Sequence, residues 1–232
     1  MNVPFFLRAV SDLLTIILLH AVYFLIKYFG SNKWSFFCDD WSIKYPYKNN
    51  TISTIGVTLY GYLTPVVVIF LVEVGNALYR KLAEIKVTQL KVPFHSFMTS
   101  YNLGRLRPHF WDVCKPNVPM NCTGLQTVYT CEGSNEDLIH DVFLSFMSGH
   151  ASTASSGVFF TVIYLQARLQ VTILPLLRPF FQYALLASLI YVCATRVTDH
   201  YHHATDSLLS SGTWVMSSVK MNISKQVVHK TR

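Results

Sequence analysis

The sequence predicts an all-α fold, a polytopic bundle of membrane-spanning helices, and three observations carry that expectation. Several apolar runs reach the length of about 20 residues that a helix needs to cross a bilayer. Of the 232 residues, 51% are hydrophobic and only 13% charged, where soluble domains carry about 25% charged residues. The Lys and Arg behind the formal charge of +7 sit beside the apolar runs, as membrane-flanking anchors do. They form no basic stripe with interleaved aromatics, which argues against nucleic acid as a partner.

The first run, residues 5–29, is long enough to span. It is too long for a typical cleaved signal, and no small-residue cleavage site follows it. The second, residues 52–78, has Pro65 near its middle, which membrane helices tolerate. Arg80 and Lys81 close it, and Lys86 and Lys91 follow, so this end is expected in the cytoplasm. Residues 82–103 are a weak third span, because they also carry Glu84, Gln89 and His95, and a central charge costs about 2.5–3.5 kcal/mol. A polar stretch over 105–141 precedes two clearer runs, 142–167 and 179–194, joined through Arg168 and Arg178. The last run, 207–219, is short and rich in Ser. The reading is one domain, residues 1–232, with four clear spans and two weak ones and no internal repeat.

Four of the five cysteines, Cys38, Cys114, Cys122 and Cys131, lie in polar stretches. They allow two disulfides with three connectivities if those loops face an oxidising compartment. Two sequons, Asn49-Asn50-Thr51 and Asn121-Cys122-Thr123, agree with that placement and make Asn49 and Asn121 candidate glycosylation sites.

Three clusters at the water-facing ends of the expected helices carry the chemistry. They are Gly104-Arg105-Leu106-Arg107-Pro108-His109, then Ser148-Gly149-His150, then Thr195-Arg196 followed by His202 and Asp206. The second cluster opens a span and the third closes the next one, so both lie on one side of the membrane. The first joins the second through a stretch too polar to cross. Two guanidiniums, a hydroxyl and a helix N-terminal amide suit the oxygens of a phosphate. Two imidazoles, His150 and His202, remain as nucleophile and proton donor. Asp206 lies four residues after His202, and on a helix the two would share a face. His203, three residues before Asp206, is the nearest rival; His109, His140 and His200 read as loop or interfacial residues.

These blocks resemble those of the lipid phosphate phosphatases, within the type 2 phosphatidic acid phosphatase superfamily. The family pattern is Lys, six residues, Arg-Pro; then Ser-Gly-His; then Ser-Arg, five residues, His, three residues, Asp. Arg107-Pro108, Ser148-Gly149-His150, Arg196, His202 and Asp206 match it, and the likeness extends to residues 40–48, 104–114 and 164–168. The resemblance implies a six-helix membrane fold, here with the third and sixth helices weak or shortened. It further implies metal-independent hydrolysis through a phosphohistidine, with His202 as nucleophile, Asp206 assisting it and His150 protonating the leaving alcohol. Arg107, Ser148, Gly149 and Arg196 would hold the phosphoryl oxygens. Phosphatidic acid, lysophosphatidic acid, sphingosine phosphate and ceramide phosphate are the implied substrates, with no cofactor and the bilayer as surroundings. The site would face outside or into the lumen, in the plasma membrane or an endomembrane; a homo-oligomer is left open.

One departure counts. Ser100 stands where the pattern has Lys; a lost charge-assisted contact of about 1.5–3 kcal/mol corresponds to a rate about 10- to 100-fold lower. A non-catalytic relative that binds lipid phosphates or partner proteins is therefore the alternative reading. A zinc site formed by Asp199, His200, His202, His203 and Asp206 is a second, since such spacings suit that metal, but it leaves both arginines unexplained.

Overall fold

In the computed structural model, residues 34–79, 105–169 and 174–212 are described, together with positions 10, 14, 17, 18 and 21 of the first apolar run, which are helical. Ser100 and the weak span over 82–103 lie outside the described residues, as does the part of the last run beyond 212.

Within the continuously described residues the first long helix is α1 (Thr54–Tyr79), which encloses Pro65 and follows the run expected over 52–78. After it come α2 (Phe110–Cys114) and α3 (Glu136–Asp141), both short and polar-flanked. They are followed by α4 (Gly149–Arg168), α5 (Leu177–Thr198) and a final helical stretch, α6, over 204–212. Among the described residues, two stretches are long and apolar enough to cross a membrane, Thr54–Ala77 and Leu177–Thr198. Only 22% of each one's most apolar window is buried, too little for the core of a soluble protein. Large side chains such as Leu59, Val66, Phe70 and Leu71 on α1, and Phe180, Tyr183 and Ile190 on α5, are exposed. That surface is suited to lipid.

Helix α4 is the odd one, and it corrects the expected boundary of 142–167. The helix starts only at Gly149; Val142 and Phe143 are apolar because they fill a core outside the bundle, alongside Phe36, Phe110, Trp111 and Tyr129. The buried face of α4 is mostly small, with Ala151, Ser152, Ala154, Ser155, Gly157 and Thr161 beside Val158 and Leu165. The small ones let it pack between α1 and α5, as small residues do where helices meet in a membrane. Their hydroxyls bond back along the helix, Ser155 to the Ala151 carbonyl at 2.6 Å and Thr161 to that of Gly157 at 2.7 Å. The closest approach is between backbones: a Cβ on Gly157 would stand 2.2 Å from the carbonyl oxygen of Gly61 in α1. At the far end, Arg168 of α4 grips the Glu73 carboxylate of α1 through two nitrogens, at 3.0 and 2.9 Å, and Tyr164 donates to it at 2.6 Å.

Above the bundle sits a small cap. Strand β1 (Phe36–Phe37) pairs antiparallel with β2 (Leu125–Gln126). Of the three cysteine pairings the sequence allowed, the cap holds Cys38–Cys122 and Cys114–Cys131, with Cys193 free inside α5.

Gly157→Leu is expected to push α1 and α4 apart, since the obstacle is backbone and cannot rotate away. Overpacking of this kind costs about 1–3 kcal/mol or more, so the thermal midpoint of the detergent-purified protein should fall by several degrees. A midpoint equal to that of the unmodified protein would show that the helices do not cross there.

Candidate active site

Three stretches distant in sequence meet where α4 begins and α5 ends. Residues 105–107 run alongside 142–145 and are bonded to them through the backbone. The Arg107 amide donates to the Val142 carbonyl at 2.8 Å, and the Ser145 amide to that of Arg105 at 2.9 Å. This pairing carries Arg105 and Arg107 to the mouth of α4. There Ser148 is the N-cap, its Oγ accepting from the Ala151 amide at 3.3 Å, while its own amide donates to Ser210 Oγ at 2.9 Å. Gly149 and His150 form the first turn, where amides point out of the helix and the dipole is positive. After α5 the chain turns through 199–203, with His200 at φ 63°. The turn folds back so tightly that the amides of Tyr201 and His202 both donate to the Arg196 carbonyl, at 3.1 and 3.2 Å.

Both arginines are buried, and each is partly satisfied by the protein. Arg107 Nη2 meets Asp141 at 2.9 Å. Arg196 Nη2 meets Asp199 at 3.0 Å and its Nη1 meets Asn50 Oδ1 at 2.6 Å. In each guanidinium the Nε is buried with no hydrogen-bond partner. Between them stands the Tyr201 ring, 5.2 Å from the Arg107 guanidinium carbon and 5.6 Å from that of Arg196. Its face is attractive to cations.

His202 is buried between these groups. Burial holds its pKa well below the usual imidazole value, and Arg107, His150 and Arg196 push the same way; only the Ser145 bond opposes them. The ring is therefore neutral at neutral pH. Its Nδ1 faces the Ser145 carbonyl at 2.5 Å. A carbonyl only accepts, so Nδ1 carries the proton and Nε2 the lone pair.

Asp206 departs from the sequence-based expectation. The helix begins after His203, so His202 lies in the preceding turn and the four-residue spacing does not put the two on one face. The carboxylate instead accepts from Arg105 at 2.6 Å, from Ser145 Oγ at 2.6 Å and from the His203 amide at 3.2 Å. The last bond is one half of a capping box for α6. Asp206 thus makes no bond to the His202 imidazole and is linked to it through Ser145.

The strap over 45–52 supplies partners that the motif reading missed. Asn50 holds Arg196; Thr51 donates to Asp199 through both its amide and its hydroxyl, each at 2.8 Å; the Ile52 carbonyl faces His150 Nε2 at 3.1 Å. Asn50 and Thr51 stand inside the Asn49 sequon, and that pattern gave no hint of a second use. Asn49 and Asn121 are both exposed. Three further histidines among the described residues are tied to backbone carbonyls: His203 to Leu106, His109 to His200 and His200 to Pro46. His140 sits in the last turn of α3. The residues of the suggested zinc site therefore diverge, and among the described residues no group of three or more His, Cys, Asp or Glu is placed to hold a metal ion.

Residues 91–228 match the model of the PAP2 superfamily. The chain belongs to the PAP2 superfamily. It is 34% identical to mouse phospholipid phosphatase 1 over 73% of its length and 67% of that protein. To mouse phospholipid phosphatase 2 it is 33% identical, over 76% of the chain and 70% of the relative. A putative phosphatidate phosphatase of Drosophila melanogaster is 30% identical, over 77% of the chain and 58% of the relative. No solved structure matches. In this PAP2 chain all three clusters fall inside the matched span, while the strap that holds Arg196 and Asp199 lies outside it.

Acid should loosen the site before it unfolds the spans. Burial, then Arg107, lower the His109 pKa to about 4, whereas an unfolded histidine titrates near ~6.5. The unfolded chain takes up protons first as pH falls, so this contribution is complete above pH ~6.5 and is lost progressively towards pH ~4. Between pH 7 and 5 the loss from His109 is about 2 kcal/mol. His109→Gln should flatten the fall in thermal midpoint over that range; an equally steep fall in the variant would remove His109 as its source.

Proposed function

We propose that this protein hydrolyses lipid phosphate monoesters without a metal, through a phosphohistidine. The observation that carries the reading is the pair of buried guanidiniums, each with an unpartnered Nε, flanking a neutral imidazole whose Nε2 holds its lone pair. An unpaired buried donor is costly, and a phosphoryl oxygen is the acceptor that suits a guanidinium best. Arg107, Arg196, the Ser148 hydroxyl and the Gly149 amide would hold the three non-bridging oxygens. His202 Nε2 attacks phosphorus, the bond to the lipid oxygen breaks, and His150 gives that oxygen a proton. Water then attacks the phosphorus–nitrogen bond and returns a proton to His150, which releases inorganic phosphate and restores His202. The site's position at the ends of α4 and α5 favours a substrate whose chains stay in the bilayer, such as phosphatidic, lysophosphatidic or sphingosine phosphate. This class includes signalling lipids. The relatives' names, phospholipid and phosphatidate phosphatase, point the same way.

Two features support a site facing outside or into the lumen. The disulfides belong to the cap on the site's side, and such bonds persist in oxidising compartments. The basic residues after α1 and around the α4–α5 connection mark the opposite end, as the positive-inside rule requires.

His202→Ala should abolish phosphate release from lysophosphatidic acid, measured in chelator with equal amounts of membrane-inserted protein, while His203→Ala should be much milder. Wild-type turnover in His202→Ala would remove it as nucleophile. No release from the unmodified chain would favour the non-catalytic binding relative that Ser100 suggests. For orientation, endoglycosidase treatment should shift the mobility of the chain, with a smaller shift in Asn121→Gln or Asn49→Gln and none when both are replaced. The Cys38–Cys122 bond and the β1–β2 pairing keep the two sites on one side, so absence of sugar from both would overturn the proposed orientation.

A further inference from the structure

We infer that Ser145 and Arg105 are positioning residues for the His202 imidazole, and that Asp206 acts on His202 through Ser145 rather than by contact. The inference rests on the reading of His202 as nucleophile and adds residues that none of the three signature blocks assigns to it.

The geometry is a chain of four side chains with one backbone link. Arg105 Nη1 donates to Asp206 Oδ1 at 2.6 Å and to Thr205 Oγ1 at 2.9 Å. The other carboxylate oxygen accepts from Ser145 Oγ at 2.6 Å, and the Ser145 carbonyl accepts from His202 Nδ1. Ser145 and Asp206 are almost fully buried, while the Arg105 side chain is 43% exposed. Both Asp206 oxygens, the Ser145 hydroxyl and carbonyl and His202 Nδ1 are thereby paired, a strong arrangement in a buried setting. A backbone carbonyl can orient an imidazole only if its peptide is held still. Ser145 lies in the irregular segment before α4, without a helix to hold it. Its hydroxyl bond to Asp206 and its amide bond to the Arg105 carbonyl at 2.9 Å hold the residue from which that carbonyl projects. Arg105 therefore acts twice, through its carbonyl on the Ser145 amide and through its guanidinium on Asp206. None of these side chains bonds to the guanidinium of Arg107 or Arg196, so the chain sets the aim of the nucleophile and not the grip on phosphate.

That separation makes the inference testable. Ser145→Ala frees the peptide and leaves the arginines in place. It should lower kcat for lysophosphatidic acid about 10- to 100-fold, with KM and inhibition by inorganic phosphate unchanged. Ser145→Thr, which keeps the hydroxyl, should recover most of the loss. Because Asp206 works through the same link, Ser145→Ala combined with Asp206→Asn should be no slower than the slower single variant. Arg105→Gln, at the exposed end and outside the core, should lower kcat several-fold at constant KM, and it serves if Ser145→Ala does not fold. Wild-type kcat in Arg105→Gln or in folded Ser145→Ala overturns the inference, as does a double variant whose loss is the product of the single losses. His202→Ala run alongside separates the two levels: turnover there ends the nucleophile reading itself, whereas an inactive His202→Ala with unaffected Ser145→Ala ends only the chain described here.

Discussion

Two guanidiniums share one buried space at the end of a bundle whose sides face lipid, and most of the surrounding architecture follows from keeping them there. Each like charge raises the cost of the other, and removing either from water costs several kcal/mol unless hydrogen bonds and counter-charges offset it. Asp141 from α3 and Asp199 from the turn after α5 supply the counter-charges. Tyr201 stands between the two groups with its face accessible to both. The cap and the turn after α5 therefore bring these partners to the arginines, which sit at the start of the cap and the end of a span.

The same constraint explains why α4 is the least apolar of the three long helices among the described residues. It starts in the middle of the polar site and lies between two neighbours, so its face need not satisfy lipid. What it must do is let the flanking helices come close, and Gly, Ala and Ser do this. Hydropathy therefore underrates it as a span, although its placement between α1 and α5 makes it central.

How much of this was legible in the chain beforehand depended on the range of the signal. The runs that became α1 and α5 were plain, because a lipid-facing helix advertises itself over 20 or more residues. The start of α4 was not, because Val142 and Phe143 look like membrane residues and are instead part of an aromatic core in water. The three motif blocks identified Arg107, Ser148, Arg196 and His202, which the fold brings together, since each motif keeps its residues within one turn or loop. Asp206 was found by the same spacing, but its partner was misread: a four-residue interval implies a shared face only where the helix is continuous. Ser145, Asn50, Thr51 and Tyr201 were not found at all. They meet the site through tertiary contacts, and a single chain carries no local pattern for those.

Thr51 and Asp199 are 148 positions apart and exchange two hydrogen bonds, and Asn50 reaches Arg196 across 146. The strap emerges early in synthesis, before α1 has been laid down, while its partners come at the end of α5. Until then Asn50 and Thr51 have only water to bond to, and the arginine turn has not yet been made. A chain stopped after α4 but before α5 is complete carries α1, the cap and α4 but has no means of closing the site. The end of the bundle that carries Arg107, Ser148 and His150 thus stays open until α5 and the turn after it have been made, so a partly made chain presents no closed site to the membrane.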